Sequence, residues 1–370
     1  MLGCPKCAMA RRSFLGTGAL AMSGLLAGGG AILSASAQAK PGDAGRAAER
    51  ASPGTLGPID FHTHMMDPDL PNLITGSLMT EHIAAWLKAM GSPDVHLEHM
   101  DRYGVGSHVV GFSNATQGIS WGDAQHDLTC YRRTNDRIAR DWVAAHPGRF
   151  HGAFGLPTQD VGLSVKELER AVTVLGMKVL QISSCSPDGV YFGDRRFDPL
   201  WEAVQHHGVT VFIHPHGQDN KPPFDDFALS NSVGQGVEEI KVMTSIIYNG
   251  VFDRFPNVKI VIAHGGGFLP HYYGRLDRNA VERPPTVRNI SRMPSEYLKS
   301  FYYDSCVYGP EILAALIRIV GVDRVVLGSD YPVGEADGVG ELRKTPALTE
   351  MDFRRIMLET PARLLGLPTS

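Results

Sequence analysis

Val209-Thr210-Val211-Phe212-Ile213-His214-Pro215 is a β-branched and aromatic run that stops on a histidine and a proline. A strand without apolar–polar alternation is buried on both faces, as in a parallel sheet covered by helices. The same grammar recurs at Ile59–Phe61 before His62, at Lys259–Ala263 before His264, and at Arg324–Leu327 shortly before Asp330. Further short runs occupy His108–Phe112, Phe150–Leu156, Lys178–Ile182 and Phe301–Tyr303. Helical periodicity fills the gaps at Asp127–Ala145, Ser164–Leu175, Leu200–His207, Glu238–Asn249 and Glu311–Val320. Pro199 and Pro310 stand near two of the helix starts, where a missing N–H costs least. Eight strands alternating with helices over about 310 residues fit one α/β domain, a (β/α)8 TIM-like barrel spanning 58–370. An open doubly wound sheet is the alternative, but no Gly-x-Gly-x-x-Gly follows the first strand to make it a dinucleotide-binding one.

Working outward, residues 1–39 read as a leader. Lys6, Arg11 and Arg12 come without an acid, an uncharged run follows from Phe14 to Leu33, and Ala37-Gln38-Ala39 closes it with a small-x-small cleavage pattern. Arg11-Arg12-Ser13-Phe14-Leu15 matches the twin-arginine export signature. Its many glycines make the run a poor anchor, so no stable membrane insertion is expected after cleavage; an uncleaved membrane helix is the competing reading. Cys4 and Cys7 would leave with the leader. Residues 40–57, rich in Ala, Gly, Pro and charge, cannot bury enough surface to offset ordering and read as a tether. Export through the twin-arginine machinery to the periplasm or beyond is the expected destination. Lys plus Arg is 35 and Asp plus Glu is 39, a formal charge of −4. No basic excess exists to follow a phosphate backbone, so nucleic acid is not an expected partner. A barrel of this size needs no metal to fold, so a metal site here would be chemical rather than structural.

The polar residues at the strand ends carry the chemistry. His62-Thr63-His64 on an extended chain places both rings on one side, because strand side chains repeat every second residue. Two imidazoles there suit a divalent metal; the alternative is a pair of histidines at a solvent-exposed strand end. His214, His264 and Asp330 stand just past the fifth, sixth and eighth strands, at the face where barrel active sites form. His264 reads either as a further metal ligand or as a proton carrier. Gly265–Gly267 after it let backbone and ligand approach closely. His216 faces solvent or the substrate pocket, and Trp121 and Phe224 are candidate pocket walls.

His62-Thr63-His64, Ile213-His214-Pro215, Ala263-His264-Gly265-Gly266-Gly267 and Gly328-Ser329-Asp330-Tyr331-Pro332 resemble the amidohydrolase superfamily. The likeness is to the branch of the aminocarboxymuconate-semialdehyde and γ-resorcylate decarboxylases. It extends through Gly250–Pro256, Gly274-Arg275-Leu276-Asp277, Phe301-Tyr302-Tyr303-Asp304 and Ala362–Leu367, so it covers roughly 58 to 368. The resemblance implies a distorted (β/α)8 barrel with one divalent metal held by His62, His64, His214 and Asp330, with a water completing the site. His264 would be the acid/base beside that water. Arg275 would reach an acidic substrate in the neighbouring subunit of a homodimer; an ion pair with Asp277 or Glu282 is the other reading. Three imidazoles and one carboxylate form a borderline donor set, which puts Zn²⁺ first and Mn²⁺ second.

Two departures bear on the substrate. Where the semialdehyde decarboxylases carry a tryptophan-rich segment after the fifth strand, this chain has residues 218–227, Gln-Asp-Asn-Lys-Pro-Pro-Phe-Asp-Asp-Phe. Between Asp67 and Gly91 Lys88 is the only basic residue, although the family grips dicarboxylates from there. Both argue against the semialdehyde itself. The expected reaction is non-oxidative decarboxylation of an aromatic or unsaturated carboxylic acid. The alternative on the same ligands is a hydrolase or hydratase acting on a lactone, a C–C ring-cleavage product or an enol acid. A binding protein without catalysis would have a closed ligand set, against which His264 argues.

Overall fold

The computed structural model describes residues 57–70, 81–113, 118–216, 223–224 and 226–368. The leader 1–39 and the tether 40–57, Gly57 apart, lie outside the described residues, as do parts of 67–91 and 218–227. Eight parallel strands form one sheet in sequential order: β1 (Ile59–Met65), β2 (Ser107–Phe112), β3 (Phe150–Phe154), β4 (Val179–Ile182), β5 (Thr210–Ile213), β6 (Lys259–Ile262), β7 (Tyr302–Asp304) and β8 (Val325–Val326). The seam between first and last strand is drawn together by backbone bonds. Phe61 N–H donates to Leu327 O (2.8 Å), His64 N–H to Tyr331 O (2.8 Å) and Asp330 N–H to His62 O (2.9 Å). The sheet is therefore a barrel and not an open doubly wound sheet. β1 extends past Phe61 because the histidine pair continues the ladder, with His64 opposite Gly111 and Met65 opposite Phe112.

The helices fall between the strands where periodicity places them, at Ala124–Arg137, Val161–Thr173, Asp198–His207, Gln235–Tyr248 and Pro310–Val320. Pro199 and Pro310 sit in first turns, and the Asp160 carboxylate caps its helix by accepting from Leu163 N–H. Both faces of the strands are buried, for two reasons. Inward, Ile59, Phe61, Val179, Phe212, Val261 and Val326 pack on one another, and Ala362, Leu364 and Leu365 of the last helix plug the base. Outward, Val110, Leu180, Val211, Ile213 and Ile260 meet the helices through Trp142, Leu168, Trp201 and Met243. Each such side chain contributes roughly 1.5–3 kcal/mol, so apolar burial holds the scaffold on which the polar strand ends are mounted. Among the described residues no helix is long and apolar enough to cross a membrane.

Candidate metal centre

An irregularity in β1 aims the histidines. Asp60 pairs with His108 and Thr63 with Val110, so Phe61 and His62 on β1 stand against the single Val109 on β2. The extra residue is a bulge, which re-aims the side chains after it. Phe61 lies in the interior, and His62, the next residue, also reaches inward: their rings stand 6.4 Å and 4.8 Å from that of Phe212. His62 and His64 then share the inner face by the two-residue period.

His62, His64, His214 and Asp330, all buried, bring one donor atom each within 4.8 Å of one another. His62 Nε2 is 3.1 Å from His64 Nε2 and 3.1 Å from Asp330 Oδ1, and His64 Nε2 is 2.7 Å from that oxygen. Donors bound to one ion at 2.0–2.1 Å stand about 2.8–3.4 Å apart in right-angled or tetrahedral arrangements, so spacings of 2.7 and 3.1 Å are close to those of a single cation's donors. The outer ring nitrogens fix which atoms face inward. His62 Nδ1 is held by Asp304 Oδ2 at 2.5 Å, and His214 Nδ1 by the Pro215 carbonyl at 3.0 Å. Burial and the neighbouring imidazoles hold His214 well below its usual value, and burial lowers His64, so both are neutral donors. Burial also works against a charge on His62, but Asp330 and Asp304 outweigh it and push the ring up to about 9. The negative potential that favours a proton there favours a divalent cation more. Burial would raise Asp330; His62, His264 and His64 overrule it and hold the carboxylate well below its usual range.

Around these four stands a supporting layer. Asp304, the last residue of β7, grips His62 with one oxygen and accepts from Gly265 N–H (3.1 Å) and Cys306 N–H (3.2 Å) with the other. Asp60 ties the seam by accepting from His62 N–H (3.1 Å), Ser329 N–H (3.1 Å) and the Ser329 hydroxyl (2.5 Å). Burial pushes Asp60 up to about 6 despite these bonds. His264 directs Nδ1 at Glu239 Oε1 (2.6 Å), and its Nε2 lies 3.6 Å from Asp330 Oδ2. It is outside the four-ligand group and beside it. Burial pushes Glu239 up to about 7, and the two carboxylates more than offset the burial that would lower His264. His264 and Asp330 both adopt left-handed backbone, with φ of 47° and 60°, a strain that collects at functional sites. The Tyr308 hydroxyl donates toward Asp330 Oδ2 at 3.4 Å.

The other candidates lie apart from this cluster. Arg275 is exposed on the helix Gly274–Glu282 and has no ion-pair partner among the described residues. Asp277 instead accepts from Ser295 N–H and Glu282 from Arg278, which removes the local ion pair as its role. His216 is half-buried and its N–H donates to the Ser184 hydroxyl (3.0 Å). Trp121 stacks on Phe112 at 5.7 Å, so it packs on the core, and Phe224 is half-exposed. Sequence reasoning gave no role to Glu239, Asp304 or Tyr308. Glu239 carried a signal: with Val242, Met243 and Ile246 it falls on the buried stripe of its helix, where an acid demands a partner.

Residues 59–367 match the amidohydrolase family model. The chain belongs to the amidohydrolase family. This amidohydrolase is 32% identical over 294 residues to 2-amino-3-carboxymuconate-6-semialdehyde decarboxylase from Dictyostelium discoideum, a match covering 74% of this chain and 81% of that one. To γ-resorcylate decarboxylase from Polaromonas sp. (strain JS666) it is 28% identical over 276 residues, covering 71% and 84%. Among solved structures, 5-carboxyvanillate decarboxylase from Sphingomonas paucimobilis superposes with a TM-score of 0.74 at 26% identity, covering 85% of this chain and 100% of that one. Dihydroxybenzoic acid decarboxylase from Polaromonas sp. JS666, solved with bound manganese and the inhibitor 2-nitroresorcinol, shares the fold with a TM-score of 0.73 at 24% identity, covering 84% and 97%. The amidohydrolase therefore sits in the branch of the semialdehyde and γ-resorcylate decarboxylases.

Proposed function

We propose that this amidohydrolase is a metal-dependent carboxy-lyase that removes CO₂ without oxidation from an aromatic or unsaturated carboxylic acid. The observation that carries the reading is the convergence of His62, His64, His214 and Asp330 beside a histidine they do not absorb, His264 braced by Glu239. His62, His64, His214 and Asp330 would hold a divalent cation, which would supply Lewis-acid charge beside the substrate carboxylate. In decarboxylation the carbon–carbon bond breaks, its electron pair stays on the carbon, and that carbon takes up one proton. His264 delivers the proton from Nε2, while Glu239 at Nδ1 keeps the imidazole oriented and stabilises its charged form. Asp330 shapes the path, since its free oxygen faces both His264 Nε2 and the Tyr308 hydroxyl. The test is product analysis with CO₂ detection over hydroxybenzoates, muconates and lactones. Stoichiometric CO₂ from an acid is expected; turnover confined to lactones, with no CO₂, overturns the assignment in favour of a hydrolase.

Three finer readings accompany it. Three imidazoles and one carboxylate favour Zn²⁺, and manganese in the Polaromonas relative makes Mn²⁺ the competitor. Elemental analysis of purified protein separates them. Arg275, exposed and without an ion pair among the described residues, has the bidentate fork to grip a carboxylate across a homodimer. Arg275→Gln should raise KM with little change in kcat, and an Arg275→Gln subunit should recover when mixed with a His264→Ala subunit. Absence of recovery removes the cross-subunit role. The sequence of the leader supports export, so lysines at positions 11 and 12 should retain the protein in the cytoplasm. Periplasmic protein that still begins at Met1 would contradict cleavage near Lys40.

A further inference from the structure

The end of the barrel opposite the metal centre carries a second feature. Lys259 opens β6, Tyr302 opens β7, and Arg324 immediately precedes β8; with Arg292 and Lys299 they line a groove of about 500 Å³. That volume falls within the range of small-molecule sites. Four cations line it and no carboxylate does. Among the described residues none of the four forms an ion pair, although the chain as a whole carries an excess of acids. Asp253, whose carboxyl Ser291, Tyr297 and Arg292 hold below its usual range against its burial, is occupied by the Tyr297 hydroxyl at 2.7 Å and by Ser291. Lys178, just before β4, adds a fifth positive charge that together with burial lowers the Lys259 ammonium.

Ordinary structural roles do not explain the set. Lys299 and Arg324 stand in last helical turns, where a cation offsets the helix dipole. Lys259 is on a strand and Arg292 is in a loop, so neither has a dipole to offset. The guanidiniums are held in place by stacking: Arg324 lies over the Tyr302 ring at 4.9 Å, and Arg292 over Tyr297 at 4.1 Å with a bond to the Ser300 hydroxyl at 3.2 Å. Fixed forks beside unpaired ammonium groups suit oxyanions, which accept bidentate bonds from arginine and point charges from lysine.

We propose that this groove is a second ligand site, specific for a small polyanion bearing two or more phosphate or carboxylate groups. It is independent of the decarboxylase reading. The test is calorimetry on the metal-loaded enzyme at fixed ionic strength, with pyrophosphate in one arm and citrate in the other. One arm is expected to bind, weakening as salt rises, and the stronger arm identifies the anionic group. The triple variant Arg292→Gln/Lys299→Gln/Arg324→Gln should weaken binding at least about tenfold, as expected when charge-assisted bonds are removed, with metal content and turnover unchanged. No heat in either arm overturns the proposal. Binding that persists in the triple variant also overturns it, since the anion then sits on the catalytic metal.

Discussion

Asp304→Asn isolates the support given to the metal ligands, because it changes charge and hydrogen-bonding capacity while keeping the shape. Two oxygens of Asp304 serve two sides: Oδ2 takes His62 Nδ1–H at 2.5 Å, and Oδ1 takes Gly265 N–H and Cys306 N–H at 3.1 and 3.2 Å. An amide has one oxygen. Turned toward His62, it sets its NH₂ against two backbone N–H groups; turned the other way, it sets its NH₂ against the imidazole N–H. At least one bond to a charged acceptor is lost in either orientation, about 1.5–3 kcal/mol, or roughly 10- to 100-fold in an equilibrium constant. Removal of a carboxylate behind a metal-bound histidine has typical effects of the same size, about 10–100-fold in metal affinity. Competition against a chromophoric chelator measures the loss, and near-UV circular dichroism checks that the barrel is intact. A folded Asp304→Asn enzyme that holds its metal within about threefold of the parent refutes the reasoning, since a tenfold loss is the least that the bond count allows.

His264→Ala should keep its metal and lose about 10²–10⁴-fold in kcat, whereas His214→Ala should lose metal and activity together; metal analysis beside steady-state kinetics separates them. Gly267 sits at φ 59°, and a Cβ there would stand 2.6 Å from Glu239 Oε2 and 2.7 Å from the Gly236 carbonyl. Gly267→Ala should therefore displace Glu239, destabilise the fold by roughly 1–3 kcal/mol in urea titration, and depress kcat; an unchanged kcat would separate Glu239 from catalysis. Burial holds His151 on β3 down to about 4. The unfolded chain, titrating near 6.5, binds the extra proton between those values, so stability is complete above about pH 6.5 and is lost as pH falls, by about 2 kcal/mol at pH 5. His151→Gln should remove that part of the slope between pH 7 and 5, and an unaltered slope would show that His151 is not its source.

The eight apolar runs announced the eight strands because parallel strands are buried on both faces and need no alternation to be found. The four ligands were legible for a related reason: a polar residue directly after such a run has one place to go, the mouth of the barrel. Asp304 obeys the same rule, directly after the run that ends at Tyr303, but its partner His62 lies 242 positions away and is brought to it only by the closed barrel. The bulge between Asp60 and Thr63 left no mark in composition, since it depends on pairing with β2. Glu239 stands beside Glu238, and its only mark in the sequence is its place on the stripe of Val242, Met243 and Ile246. Here both are buried, Glu238 against Ser184 and Tyr191 and Glu239 against His264, partners that only the folded chain supplies. Arg292, Lys299 and Arg324 are ordinary surface residues in sequence and form a group only through the order of β6, β7 and β8.

The seam of the barrel gives the metal centre a mechanical consequence. β8 is two residues long, and the segment just after it meets β1 through an isolated bridge, Thr63 to Tyr331, and a few backbone bonds. His64 and Asp330, which flank that joint, are 266 positions apart. Bringing chain ends across such an interval costs a flexible polypeptide about 5 kcal/mol in lost freedom. A cation shared by these two residues would act as a clasp on the hoop, fastened from inside, beside Asp60 and Ser329, a second catch made of protein alone. The ion that would drive the chemistry would thus also keep the first and last staves of the barrel from parting, and stripping it should loosen this joint before any other.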